Sequence, residues 1–332
     1  MVVTLADIAR RAGVAQSTAS AVVNGKAAKL QIAKTTRERV LRACRELNYR
    51  PSSSARALAT GKTFSIGLVC GGLHLPYFAE LASRTMAEAE ARGYRLLIST
   101  TQWSHEKELQ GLDMLLGRQV DGVLLAVAAL TPDTAEYQYV TQHRFPVVSF
   151  YRSPGLPTVM HDLRPGVTEA VDYLHKLGHR RAGIIAEDAN PLKVAPFVER
   201  CGQLGMAASV RRATKEITDA REMARELAAE PDFPPVWLVG SDYLAAGVIR
   251  GFRDAGLDVP RDVGVIGCDD TPMAAYMHPP LTSVRQDTGP LAARAIDLLM
   301  ELMDGREPQA TPIALPTRLI IRESVLPAKK EC

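Results

Sequence analysis

The sequence predicts an α/β protein with a small helical headpiece in front: an N-terminal helix-turn-helix unit, then a two-lobed core built on parallel sheets. Three observations carry this. Residues 1–62 hold 12 Lys and Arg against 3 Asp and Glu, which leaves 28 against 34 for the rest of the 332 residues. A basic module is therefore fused to a mildly acidic body, as when one segment meets a polyanion and the other does not. Within the basic part, short helical patterns are separated by a single glycine, Gly13. From Thr63 onward, apolar runs alternate with amphipathic stretches of helical period, and strand followed by helix, repeated, gives parallel sheets with right-handed crossovers.

The elements follow in order. Thr4 with Asp7 three residues on is a capping-box start, after which Leu5, Ile8, Ala9 and Ala12 recur at helical spacing until Gly13. A second helix begins after Val14 and runs to about Val23, closed by Asn24-Gly25, and a third spans Lys34 to Leu47. Two short helices joined by a glycine-bearing turn and backed by a third describe a helix-turn-helix. Pro51 stops the unit. The stretch 52–61, whose one large apolar residue is Leu58, is a weak helix former that becomes helical only in context. Strands are expected at 64–70, 94–99, 120–127, 145–150, 182–186, 236–239 and 263–267, and helices at 79–92, 106–118, 167–177, 221–229 and 244–255. So many strands suit two lobes, with crossings near 151–166 and 278–290.

Composition excludes several classes. A hydrophobic share of 46% is that of a folded protein. No window approaches 18 uninterrupted apolar residues, and Asp7, Arg10 and Arg11 stand where a signal peptide needs an apolar run, so a cytoplasmic protein away from the membrane is expected. Five scattered cysteines without a C-x-x-C pair suggest neither a disulfide framework nor a zinc site. Dinucleotide, P-loop, hydrolase and zincin motifs are absent, and Asp269-Asp270, adjacent on an extended segment, point to opposite sides. No enzyme, metal or cofactor is expected.

In α/β folds ligands bind outside the carboxyl ends of the strands. The polar residues just after the apolar runs are His74 and Tyr77, Gln102 and Trp103, Tyr151 and Arg152, Ser241 and Asp242, and Asp269 and Asp270. Acids and an Arg ringed by Tyr77, Phe78 and Trp103 suit a small polyhydroxylated or heterocyclic ligand, which carboxylates hydrogen-bond and aromatic faces stack. On this evidence the body alone would equally serve a solute-binding or sugar-processing α/β protein with no DNA role.

The order of motifs resembles the LacI/GalR transcriptional regulators: Thr4-Leu5-Ala6-Asp7-Ile8-Ala9, Ala12-Gly13-Val14, Val22-Val23-Asn24-Gly25, Asn48-Tyr49-Arg50-Pro51 and Ala55-Arg56-Ala57-Leu58. It continues through Pro76-Tyr77-Phe78, Leu177-Gly178-His179-Arg180, Gly267-Cys268-Asp269-Asp270, Pro279 to Gln286 and Ile321-Arg322-Glu323-Ser324. The resemblance implies a headpiece (1–50), a hinge helix (51–62) and a core like periplasmic sugar-binding proteins, with one lobe from 63–160 plus 288–316 and the other from 161–287 plus 317–328. It places the second helix in the major groove, with Ala15, Gln16, Ser17 and Ala21 at base edges. Thr4, Thr18, Ser20, Asn24, Lys26, Lys29, Tyr49, Ser54 and Arg56 fall to the DNA backbone. Ala55 and Leu58 fall to the minor-groove hinge, with Leu58 as the wedge that unstacks a central step.

The partners so implied are a near-palindromic double-stranded operator, a second copy of the chain and a sugar-like effector, the last held by Tyr77, Phe78, Trp103, Arg152, Asp242, Asp269 and Gln286. With no heptad tail after the last strand, a dimer is expected. The chain departs from the family pattern where Ala21 replaces a common Arg and where Lys26 to Gln31 lengthen a loop. It departs again where Leu75 stands for Asn and Tyr151 for Asp, and where the helix around Pro191 to Leu204 lacks the Arg that clamps an effector, Pro196 and Phe197 occupying that region.

Overall fold

The computed structural model describes residues 3–25, 27–28, 30–49, 57, 61–117, 120–126, 130–187, 191–307 and 312–329. They fall into two compact units, Met1–Phe64 and Ser65–Cys332.

Among the described residues, the first unit holds the helices α1 (Leu5–Ala12), α2 (Gln16–Val23) and α3 (Lys34–Glu46). Its start is the expected capping box: the Thr4 hydroxyl accepts from the Asp7 amide at 3.4 Å, and the Asp7 carboxylate accepts from the Thr4 amide at 3.0 Å. Those bonds hold the Asp7 carboxyl below the ordinary aspartate range. Gly13 ends α1 in the left-handed region at φ 62°, which glycine enters without steric cost. Ile8, Ala12, Ala19, Val22 and Val40 close a small core. The hinge residues Ser54, Ala55, Arg56 and Leu58, and the loop lysines Lys26 and Lys29, lie outside the described residues.

The second unit holds three sheets. Strands β1 (Ser65–Cys70), β2 (Arg95–Thr100), β3 (Gly122–Ala126) and β4 (Val147–Ser149) form a parallel sheet in the order β2-β1-β3-β4. A second sheet uses β6 (Arg181–Glu187), β7 (Ala207–Ala213), β8 (Val236–Gly240), β9 (Gly264–Asp269), β10 (Thr282–Arg285) and β12 (Arg318–Ile320), in the order β12-β10-β9-β8-β6-β7. Its pairs are parallel except β10 with β12. Between the two, β5 (Val159–Asp162) pairs with β11 (Ile313–Pro316), so two crossings run side by side as a small parallel sheet. The central strands β3, β8 and β9 are buried along their length, as strands covered on both faces must be.

Helices cover the sheets: α4 (Pro76–Ala91), α5 (His105–Leu116), α6 (Ala135–Gln142), α7 (Arg164–Lys176), α8 (Pro191–Gln203), α9 (Ile217–Leu227), α10 (Asp242–Asp254) and α11 (Thr288–Met303). The last packs on α4 and β4, so the chain returns to the first sheet before β12 completes the second. The expected strands and helices leave out β5, β7, β10, β11, β12, α6, α8 and α11, and two of these have a plain physical reason. Helix α8 carries an interior proline, Pro196, and edge strand β7 holds half-buried Arg211 and exposed Arg212 in place of an apolar run.

Candidate functional site

In the headpiece, Ala15, Gln16 and Ser17 are exposed at the first turn of α2. That helix starts on Ala15 with no side-chain cap, so its first amides stay open to an outside acceptor. Thr18 and Ser20 are half-buried beside it, and the Asn24 amide donates to the Ser20 hydroxyl at 3.2 Å. Thr4 is exposed but committed to the capping box, while Tyr49 packs against the headpiece core. Ala21 corrects the expectation for it: at 7% exposure its methyl is turned inward, too short and too buried to reach a base edge.

In the second unit a cavity of about 540 Å³ opens at the carboxyl ends of both parallel sheets. Tyr77, Phe78, Trp103, Asp269 and Gln286 of the expected set line it. The aromatic wall is continuous: Tyr77 meets Phe78 edge-on at 5.3 Å, Phe78 meets Trp103 at 5.0 Å, and the Lys215 ammonium lies 3.6 Å above the Trp103 ring. Trp103 sits at φ 63° after Gln102 at φ 51°, a left-handed pair, and its indole lies against Gly71, just past the end of β1. The Tyr77 hydroxyl is 3.3 Å from His161 Nδ1, whose Nε2 is 3.2 Å from the Asp287 carbonyl. Burial pulls the His161 imidazole below its ordinary value, with the Asp287 carbonyl opposing.

Arg152 and Asp242 correct the expectation. Arg152 is exposed and does not line the cavity. Asp242 is buried at the start of α10, between the lining residues Ser241 and Tyr243. Its carboxylate accepts from the Thr271 amide at 2.7 Å, the Thr271 hydroxyl at 3.1 Å and the Ser283 hydroxyl at 2.6 Å, tying the ends of β9 and β10 together. Burial pushes this carboxyl up to about 6 against those bonds. The two adjacent aspartates diverge, but not on the extended segment expected: both sit at positive φ, 115° and 53°. Asp269, at φ 115°, accepts from Gln286 Nε2 at 2.6 Å on the cavity side. Asp270 turns away into ion pairs with Arg285 and Arg322, each at 2.6 Å.

Further groups in the wall were not foreseen, among them His161, Glu187, Lys193 and Lys215. Glu187 ends β6 directly after an expected apolar run, so the strand-end rule applied there would have found it. Lys193 comes from α8 and is 6% exposed. It supplies a cation from the very helix whose expected Arg the sequence lacks. Burial works against its charge, but Cys268, Glu187 and Asp269 beside it raise the ammonium above the ordinary lysine value. Leu75 and Tyr151 also face the cavity, making the wall more apolar than the family pattern.

Residues 4–52 match the model for bacterial regulatory proteins of the lacI family, and residues 171–325 match a periplasmic binding protein-like domain. Along nearly its whole length the chain is 31% identical to catabolite control protein A of Priestia megaterium, over 98% of this chain and 99% of that protein. The chain belongs to the LacI family. This LacI-family chain is also 30% identical to the transcriptional repressor PurR of Pasteurella multocida, over 97% and 98% of the two chains. Its fold is similar to the lac repressor dimer solved with operator and the anti-inducer ONPF, at TM-score 0.85 and 26% identity over 98% of this chain and 100% of that one. It is a DNA-binding transcriptional regulator and not an enzyme. Among the described residues, no helix is long and apolar enough to cross a membrane.

Proposed function

We propose that this regulator is a repressor that binds a near-palindromic operator as a dimer and answers to a small polyhydroxylated metabolite in the cavity between its sheets. The observation that carries the reading is the exposed first turn of α2, Ala15-Gln16-Ser17, on a strongly basic unit. Gln16 suits a bidentate pair with adenine, Ser17 serves as donor or acceptor, and the Ala15 methyl suits a thymine methyl. Thr18, Ser20, Asn24, Tyr49, Lys26 and Lys29 hold phosphates, and Thr4 contributes through the helix start that it caps. Ser54, Ala55, Arg56 and Leu58 act at the minor groove. In the cavity, Tyr77, Phe78, Trp103, Asp269 and Gln286 take the effector, and Asp242 positions the loop that presents Asp269. The names of relatives support the reading, since PurR is a repressor and the lac repressor was solved as a dimer on operator. The protein acts in the cytoplasm, on the nucleoid.

The test is operator affinity against salt. Neutralising phosphates releases counterions, so log K falls linearly with log salt at a slope of roughly −0.9 per phosphate contacted. A dimer gives a steep fall, and a flat response overturns the reading.

A further inference from the structure

The lobes built on the two parallel sheets touch across the cavity through a side-chain pair. Trp103 follows β2 of the first sheet, Lys215 follows β7 of the second, and the Lys215 ammonium lies 3.6 Å from the centroid of the Trp103 ring. Each partner is set in place by its own lobe. The indole fills the space over Gly71, where a Cβ would collide with its six-membered ring, and Phe78 meets it edge-on at 5.0 Å. The backbone beneath is tied to the same glycine, since the Thr101 and Gln102 amides both donate to the Gly71 carbonyl. The indole N–H is buried without an acceptor among the described residues, so packing and the cation hold the ring, not a hydrogen bond.

On the other side, the Thr214 hydroxyl donates to the Asp219 carboxylate at 2.7 Å and accepts from the Glu216 amide at 3.2 Å, which fixes the turn that carries Lys215. Among the described residues the Lys215 ammonium has no carboxylate within ion-pair distance, and the indole face is the negative surface it meets. Both side chains are half-buried, so water weakens the attraction less than it would on an open surface. The attraction reaches only about 6 Å from the ring centroid. It is therefore present when the strand ends of the two sheets stand together and lost when they part. A contact made in one arrangement and not in the other shifts the balance between them, with or without a ligand.

We infer that Trp103 and Lys215 form a latch between the two lobes, which biases the ligand-free body toward the closed arrangement. The pair moves the open–closed balance by roughly two- to fivefold, the worth of a part-exposed cation–π contact. A molecule that bridges the lobes adds to a closure already begun, and one that holds them apart must first break the pair. The latch belongs to the body alone and stands apart from the repressor reading.

Acrylamide quenching of tryptophan fluorescence in the full-length protein tests it, with hydrogen exchange as the measure of lobe separation. Of the two tryptophans, Trp237 is fully buried in the core beside the second sheet, so the quenched signal is that of Trp103. Lys215→Met keeps an apolar stem over the ring and removes the charge. Its quenching constant rises roughly two- to fivefold. Exchange also quickens in the cavity-lining segments 75–78 and 269–271, one on each lobe and both distant in the chain from residue 215. Lys215→Arg keeps a cation over the ring, so both readouts stay at the level of the unaltered protein. Equal quenching in all three proteins, an Arg variant that behaves as the Met variant does, or exchange in those two segments that does not respond to Lys215→Met each overturns the inference.

Discussion

The headpiece and the body solve opposite problems. In the first unit the residues proposed to meet DNA are on the outside of α2, and a small core of Ile8, Val22, Val40 and alanines is buried beneath them. In the second the residues that line the proposed ligand cavity come from the ends of strands in two sheets and from α4 and α8, and most are partly or wholly shielded from solvent. A surface site can therefore change one side chain at a time without endangering the fold. An interior site is bound up with the packing: Asp242 holds loops together, Asp270 neutralises two arginines, and Gly240 exists to admit Lys193.

If that contrast is right, the costliest single change near either site is Asp270→Asn in the body. Asp270 is 1% exposed and faces both Arg285 and Arg322. Removing one member of a buried ionic group costs about 3–5 kcal/mol, and the half-exposed arginines put the expected loss at the lower end. Denaturant unfolding followed by tryptophan fluorescence measures it, because Trp103 and Trp237 both lie in the body. A loss under about 1 kcal/mol would show the arginines to be well served by solvent alone.

Ile8→Ala breaks the comparison from the other end. Ile8 is fully buried in a core too small to spare it, and truncating a buried isoleucine costs roughly 2–5 kcal/mol. The expected outcome is loss of operator binding with the body's fluorescence transition unmoved. A shift in that transition would mean that the two units do not fold independently.

Gln16→Ala asks for less. It removes a base contact from a surface that carries no packing, so specificity relaxes at one base pair per half-site by about 1–3 kcal/mol with no change in thermal midpoint. An unchanged selection profile removes Gln16 from the reading set.

The same contrast explains how much was legible in the sequence. Local chemistry shows directly: the Thr4–Asp7 capping box, the Gly13 turn and the alternation of apolar runs are each settled by residues adjacent in the chain. Tyr77, Phe78, Trp103 and Asp269 were legible because strand ends converge by topology, and Gln286 only through the family resemblance. Lys193 was not, since nothing local marks it; its place depends on α8 continuing through Pro196 and on the gap over Gly240. Asp242 and Arg152 obeyed the strand-end rule and still missed the cavity. The rule locates an edge of the sheet, whereas rotamer and hydrogen bonding decide which side of that edge a side chain takes.

The smallest effect tests whether Asp242 belongs to the packing or to the ligand. Its folded carboxyl is pushed up to about 6 from an ordinary 3.8, principally by burial. Below the ordinary value the group is neutral in folded and unfolded chains alike, and above the raised one it is charged in both. Between them the folded chain holds the proton more tightly, so this group's contribution to stability is greatest at the acid end and is lost as pH rises through that window. Exposed aspartates with lowered values, such as Asp254 and Asp262, act in the opposite direction, so the total stability of the wild type does not isolate Asp242. The difference from Asp242→Asn does, because that variant keeps an acceptor and cannot titrate. The stability of the wild type relative to the Asn variant, read from thermal midpoints, is therefore expected to be highest near ~pH 4 and to fall toward ~pH 7. A gap that stays constant across the window would show that the carboxyl keeps an ordinary value in the fold, and would return it to solvent contact at the cavity rim.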